Sequence, residues 1–192
     1  EITLPTKPIQ HIDDPNGEIA LCILSAINIG KIKTNDELEV LCDLSIRSLD
    51  ELIDYQNYPV KAAEICTKAR RSLGVGYIGL AHYLAKNGEN YGDPGAWKLV
   101  HDLTEAFQYY LIQATVNLAK EKGACEYSHR TKYGQGILPI DTYKRDVDEI
   151  VPNNLKYDWD SLREQVKQYG VRNSTLSAQM PSESSSVVSN AT

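Results

Sequence analysis

At 192 residues, 42% hydrophobic and 24% charged, the chain is long enough to bury a core and has an ordinary globular composition. Its net charge of −6 excludes a general nucleic-acid binder, which needs a basic stripe to neutralise phosphates. Four scattered cysteines (Cys22, Cys42, Cys66, Cys125) form no Cys-x-x-Cys pair, so no metal site is expected, and no apolar run reaches the ~18 residues of a membrane span.

The chain opens with a short predicted strand, Glu1 to Pro5, closed by the proline and followed by a turn-rich loop to Gly17. From Glu18 to Ile29 both alternating faces are apolar, which predicts a strand covered on both sides, as in a barrel or an α/β sheet. Cys22 falls in the middle of it, and on composition alone is a small buried hydrophobe. Thr34-Asn-Asp-Glu37 is a capping box that launches a helix with an inward stripe of Leu38, Leu41, Cys42, Ser45, Leu49, Leu52 and Ile53, ending before Tyr58-Pro59. A second helix is expected from Val60 to Ser72.

Gly74-Val-Gly-Tyr-Ile-Gly79 satisfies the dinucleotide fingerprint G-x-G-x-x-G, but that motif needs a strand before it and an acidic residue after the next strand. Here it follows the polar, helical Lys68-Ala-Arg-Arg-Ser72, so the glycines are read as close packing and a turn between helices. Leu80, Ala81 and Leu84 mark a short helix stopped at Asn87-Gly88. Asp93 and Pro94 then start the longest one, with a stripe of Trp97, Val100, Leu103, Phe107, Tyr110, Leu111, Ala114 and Leu118, and Gly123 as its stop. From Ala124 to Ile140 the pattern is irregular; Cys125 and His129 are four apart, but two candidate ligands do not make a metal site. Asp141 is read as the cap of a helix to about Ile150, and Asp158 as the cap of another with Trp159, Leu162, Val166 and Tyr169 inward.

Val171 to Ala178 is read as a short strand, Pro181 breaks it, and Ser182 to Ser186 form a turn before helix residues Val187 and Val188. Such a turn can simply cap a helix or stay a loop. It can also hold an anion, because the first N–H groups of a helix have no internal partner and the helix dipole places roughly half a positive charge there.

Met180-Pro-Ser-Glu-Ser-Ser-Ser186, following Arg172-Asn-Ser-Thr-Leu-Ser-Ala178, resembles the large, catalytic subunit of class I ribonucleotide reductase. The resemblance runs from Glu1-Ile-x-Leu-Pro-Thr6 to Ser189-Asn-Ala-Thr192, and departs where the family often has threonine in place of Ser184. It implies an α/β fold: a helix-rich segment, residues 1–192, of a ten-stranded α/β barrel built from two half-barrels around a finger loop. It further implies that Pro181, Ser182, Glu183, Ser184 and Ser185 bind the substrate diphosphate. Gly17-Glu-Ile-Ala-Leu-Cys-x-Leu-Ser25 matches the family segment bearing one of two redox cysteines, here Cys22, whose partner lies upstream in the family. Cys42 and Cys66 match no such motif. Of the finger-loop motif Asn-x-Cys-x-Glu only the last residue is present, as Glu1, the substrate-binding acid–base on the ribose 3′-hydroxyl.

The chemistry so implied is reduction of a ribonucleoside diphosphate by a thiyl radical, with Glu1 ionised at neutral pH and able to take a proton. Cys22 and its partner supply two electrons and are re-reduced by thioredoxin or glutaredoxin. A metal-containing small subunit supplies the radical, the segment itself binds no cofactor, and ATP and deoxynucleotide effectors bind elsewhere in the family. Glu1 in place of an initiator methionine, and Thr192 inside a helix start, suggest a piece of a longer chain that is inactive without the rest of the large subunit. Nothing resembles a signal peptide, so a cytoplasmic, reducing location is expected, with no membrane or direct nucleic-acid contact, and the sequons at Asn173 and Asn190 are accidental. Two rivals use the residues differently: a non-catalytic helical interaction domain, and a phosphate-binding enzyme of another α/β family.

Overall fold

A computed structural model describes residues 5–152 and 154–191. Two parallel strands, β1 (Ile23–Asn28) and β2 (Leu73–Ile78), pair in the register Ile23 with Leu73 through Asn28 with Ile78. Parallel neighbours require a crossover, and α1 (Asn35–Tyr55) and α2 (Lys61–Arg70) supply it. The chain continues through α3 (Leu80–Lys86), the 29-residue α4 (Pro94–Lys122), a short α5 (Pro139–Thr142), α6 (Trp159–Tyr169) and α7 (Glu183–Val188). The result is a small sheet on a helical layer, an α/β arrangement.

One face of the sheet, Ile27, Leu73 and Val75, packs on Leu38, Cys42, Ile46 and Leu49 of α1 and on Phe107 and Leu111 of α4, with Leu162 and Val166 of α6 closing the core. The rings of Tyr77 and Phe107 meet edge to face, with centroids 5.5 Å apart. Thr34 caps α1 as expected, accepting from the Glu37 N–H at 3.2 Å, while the Glu37 carboxylate takes the Lys33 N–H rather than that of Thr34. The α1 stripe is rotated from the expected one: Leu41 and Leu52 are exposed, and Ile46 and Asp50 are buried instead. In α4 the first stripe residue, Trp97, is also exposed, as is Tyr169 at the end of α6.

Other expectations are corrected. The G-x-G-x-x-G run is not a turn between helices; its first five residues lie within β2 and only Gly79, at φ +82°, turns the chain into α3. The strand expected over 18–29 is shorter, and it is not covered on both faces, since Leu21 and Leu24 are exposed. Asp141 does not cap a helix to Ile150: it sits inside α5, accepts the Leu138 N–H at 2.8 Å, and the helix breaks at extended Tyr143 before a 3-10 turn at Arg145–Glu149. The strand expected over 171–178 is reduced to a single bridge between Ser177 and Val75, although Leu73 and Val75 donate their N–H groups to Thr175 and Leu176. The strand expected at Glu1 to Pro5 falls mostly outside the described residues.

Candidate functional site

β2 has two unlike faces. Leu73, Val75 and Tyr77 point to the core; Gly74 and Gly76 present bare backbone on the other side. Onto that bare face come the two candidate segments. A Cβ on Gly74 would stand 3.1 Å from the Cys22 sulfur and 3.0 Å from Cβ of Ala178. A Cβ on Gly76 would run into the Ala178 carbonyl oxygen and come within 2.8 Å of Cε of Met180. One strand residue, Val75, lies between these glycines, which stand roughly 7 Å apart. Cys22 and the approach to the serine turn therefore share one face of one strand.

Cys22 is half-buried and sits one residue before β1, not in the middle of a strand. The other thiols are core residues: burial pushes Cys42 up to about 12 and Cys125 to about 11, and raises Cys66 as well. Among the described residues no group of three or more His, Cys, Asp or Glu could hold a metal ion.

The serine turn begins its helix earlier than expected. Ser182 is the N-cap residue and α7 already contains Glu183, Ser184 and Ser185. The Ser186 N–H donates to the Ser182 carbonyl at 2.7 Å, so the N–H groups of residues 183–185 precede the helical ladder. The hydroxyls of Ser185 and Ser186 turn back to the carbonyls of Ser182 and Glu183 at 3.1 and 2.7 Å, whereas Ser184 is exposed. With six residues α7 has a small dipole, so the donors here are individual N–H groups and a hydroxyl rather than a macrodipole. The far end of α7 rests on the C-terminal end of β1, where the Asn28 amide donates to the Ser189 carbonyl at 3.4 Å. Pro181 and Glu183 are exposed beside the turn. Glu1 lies outside the described residues.

Two buried ionic networks that sequence reading missed hold these segments in place. Glu18, four residues before Cys22, accepts from Arg70 at 2.7 Å, from the Tyr127 hydroxyl at 2.7 Å and from the Lys7 N–H at 3.0 Å. Burial raises its pKa, but the hydrogen bonds from Tyr127 and Arg70 outweigh that and hold it below the usual carboxylate value. On the other side Asp50, fully buried, accepts from Arg71 at 2.6 Å, Asn173 at 3.0 Å and Arg172 at 3.2 Å. The first network anchors the chain leading to Cys22; the second anchors the chain leading to residues 178–182. A faint signal was available: Asp50 and Asp54 stand four apart on α1, a pair of acceptors for Arg71.

A family model described as "Ribonucleotide reductase, barrel domain" matches residues 1–192. The chain is 62% identical over its whole length to the ribonucleoside-diphosphate reductase subunit alpha of Haemophilus influenzae, and 58% identical to the ribonucleoside-diphosphate reductase 1 subunit alpha of Salmonella typhimurium. A phage T4 subunit alpha is 46% identical, again across the whole chain. In each case the chain spans about a quarter, 25%, of the length of the relative.

Proposed function

Given that the chain belongs to the ribonucleotide reductase barrel-domain family, we propose that it is one segment of the catalytic barrel of an enzyme that reduces ribonucleoside diphosphates to 2′-deoxyribonucleoside diphosphates. The observation that carries this reading is the approach of both the Cys22 thiol and the Ala178–Met180 segment to the glycine face of β2. That arrangement supports a redox thiol and a diphosphate-holding turn serving one bound nucleotide.

The parts act as follows. Pro181 to Ser185 receive the diphosphate, through the N–H groups at the start of α7 and the Ser184 hydroxyl, and so fix the ribose; positioning of this kind removes several kcal/mol from a barrier. Glu1 takes the proton of the ribose 3′-hydroxyl. Cys22 and a second thiol outside this segment each give up a proton and an electron. The 2′ carbon–oxygen bond breaks, the hydroxyl leaves as water, and an S–S bond forms. Thioredoxin or glutaredoxin returns the disulfide to two thiols. The radical is generated on a metal-containing small subunit and reaches a cysteine in the rest of the large subunit.

The test uses a polypeptide of the relatives' full length carrying this segment. Ser184→Ala is expected to weaken nucleoside diphosphate binding by about 10-fold, the worth of one hydrogen bond to a charged group. Ser185→Ala is expected to do less, because its hydroxyl already serves the Ser182 carbonyl. Cys22→Ser is expected to abolish turnover with thioredoxin. Unchanged binding in the first variant together with unchanged turnover in the last would overturn the reading.

A further inference from the structure

One buried ion pair ties together two stretches of chain that the proposed chemistry needs at a fixed spacing. Pro5 follows Glu1 by four residues, and Glu18 precedes Cys22 by four. The Glu18 and Arg70 side chains are buried and 2.7 Å apart, and the same Arg70 Nη2 donates to the Pro5 carbonyl at 2.6 Å. Glu18 also exchanges two bonds with Lys7. Its Oε2 accepts the Lys7 N–H at 3.0 Å, and its own N–H donates to the Lys7 carbonyl at 3.1 Å. Gly17 lets the two stretches lie this close, since a Cβ there would run into Ile9. Oε1 of Glu18 takes the Tyr127 hydroxyl at 2.7 Å, and the Ile19 N–H donates to the Ala62 carbonyl of α2 at 3.2 Å.

A buried ion pair adds little net stability over apolar packing of the same volume, because desolvation offsets the attraction. What apolar packing lacks is direction. Here a carboxylate, a guanidinium and two backbone groups fix residues 5–7 against residue 18 by hydrogen bonds, and all are seated on α2. Four residues of chain reach at most roughly 14 Å, so a displacement of the pair is passed to Glu1 and Cys22 over a short lever. The serine turn has a different side-chain anchor, the bonds of Arg71 and Asn173 to Asp50.

Resting on the reductase reading above, we propose that Glu18 and Arg70 are positioning residues for turnover. They hold the chain leaving Glu1 against the chain entering Cys22, and so set the spacing of acid–base carboxylate and redox thiol across one ribose. Neither is a catalytic group.

The test uses the polypeptide of the relatives' full length, prereduced and supplied with a radical-generating small subunit but no thioredoxin. Each thiol pair then supports a single turnover. Nucleoside diphosphate affinity is measured on the same samples. In Glu18→Leu with Arg70→Met, apolar side chains replace the pair. The first-turnover rate at saturating substrate should fall about 10- to 100-fold, the effect of a misplacement on the order of 1 Å, while affinity stays at the parent's level. Gly17→Ala leaves the pair in place and presses a methyl on Ile9, and should slow the same step several-fold with affinity again unchanged. A parental rate in the double variant would overturn the proposal, as would rate and affinity falling together, which marks general damage. Should the double variant fail to fold, Gly17→Ala decides in the same way. A parent polypeptide that forms no deoxynucleotide would overturn the reductase reading and this inference with it.

Discussion

Glu18→Ala probes the join between the fold and the candidate redox thiol. The Glu18 and Arg70 side chains are 1% and 2% exposed, and the pair is 2.7 Å apart. Removing the carboxylate takes the 2.7 Å ion pair from the buried Arg70 guanidinium, which stays beside the Pro5 carbonyl at 2.6 Å and the Tyr127 ring at 4.8 Å. Breaking a buried pair from one side costs about 3–5 kcal/mol. For a chain of this size each kcal/mol moves the melting temperature by roughly 2–4 °C, so the variant should melt on the order of 6–20 °C lower. Glu18→Leu combined with Arg70→Met should recover part of the loss, because two apolar side chains replace the ion pair at little cost while the Tyr127 hydroxyl and the Lys7 N–H still lose their acceptor. Calorimetry on the parent, Glu18→Leu, Arg70→Met and the double variant closes the cycle, with Glu18→Ala measured beside it. A Glu18→Ala melting temperature within about 2 °C of the parent would refute the claim that this pair anchors the chain ahead of Cys22.

Three further outcomes follow from the same geometry. Of the four cysteines, a thiol reagent at mildly alkaline pH should modify one quickly; Cys22→Ser should abolish that fast phase, and a fast phase surviving in it would contradict the burial of Cys42, Cys66 and Cys125. Gly76→Ala should cost about 1–3 kcal/mol in denaturant unfolding, because the new methyl meets the Ala178 carbonyl and the Met180 side chain; parental stability would show that residues 178–180 do not lie on β2. Acid should unfold the chain early: hydrogen bonds from Arg71 and Arg163 hold Asp54 and Asp141 below the usual carboxylate range, and Glu18 is lowered despite its burial. Carboxylates whose folded pKa lies below the unfolded value of about 4 stabilise fully above it and lose that contribution as pH falls through the folded value, so the melting temperature should be flat near neutrality and fall steeply below about pH 4; a melting temperature unchanged into that acid range would refute this.

The helices were legible because their signals are local. Thr34, Pro94, Asp158 and Gly170 each fix a boundary through chemistry within one turn of the chain, and the structure keeps all four. What failed depended on partners far away in sequence. Leu41 and Leu52 fit a helical stripe as well as Ile46 does, and only the position of α4 decides which side of α1 is covered. Arg70 and Arg71 read only as part of a polar, helical stretch. They are buried because Glu18 on one side and Asp50 and Asp54 on the other stand where the two guanidinium groups arrive. Arg71 even adopts φ +49°, an unusual conformation for a residue with a side chain, held there by bonds to those two aspartates. Cys22 and the serine turn were found through resemblance, since neither a lone cysteine nor a run of serines specifies chemistry.

The glycine motif shows what separates a fingerprint from its structural context. In a dinucleotide site the glycines follow a strand and bend the chain toward a helix. Here the first two lie inside the strand at alternate positions, so they fall on one face and leave it bare while Leu73, Val75 and Tyr77 fill the other. Residues 175–178 pair along the edge of β2, with the Ala178 N–H donating to the Val75 carbonyl at 3.2 Å, and the bare face permits what a side chain would forbid: the close approach of the Ala178 carbonyl and the Met180 side chain at Gly76. The alternation of glycine with Leu, Val and Tyr is a period of two, a strand signal that the reading of a turn between helices passed over. Within the strand the glycines serve the proposed nucleotide site at one remove, by setting how closely residues 178–182 can approach Cys22. Any side chain at Gly76 must then move the serine turn, however conservative the substitution.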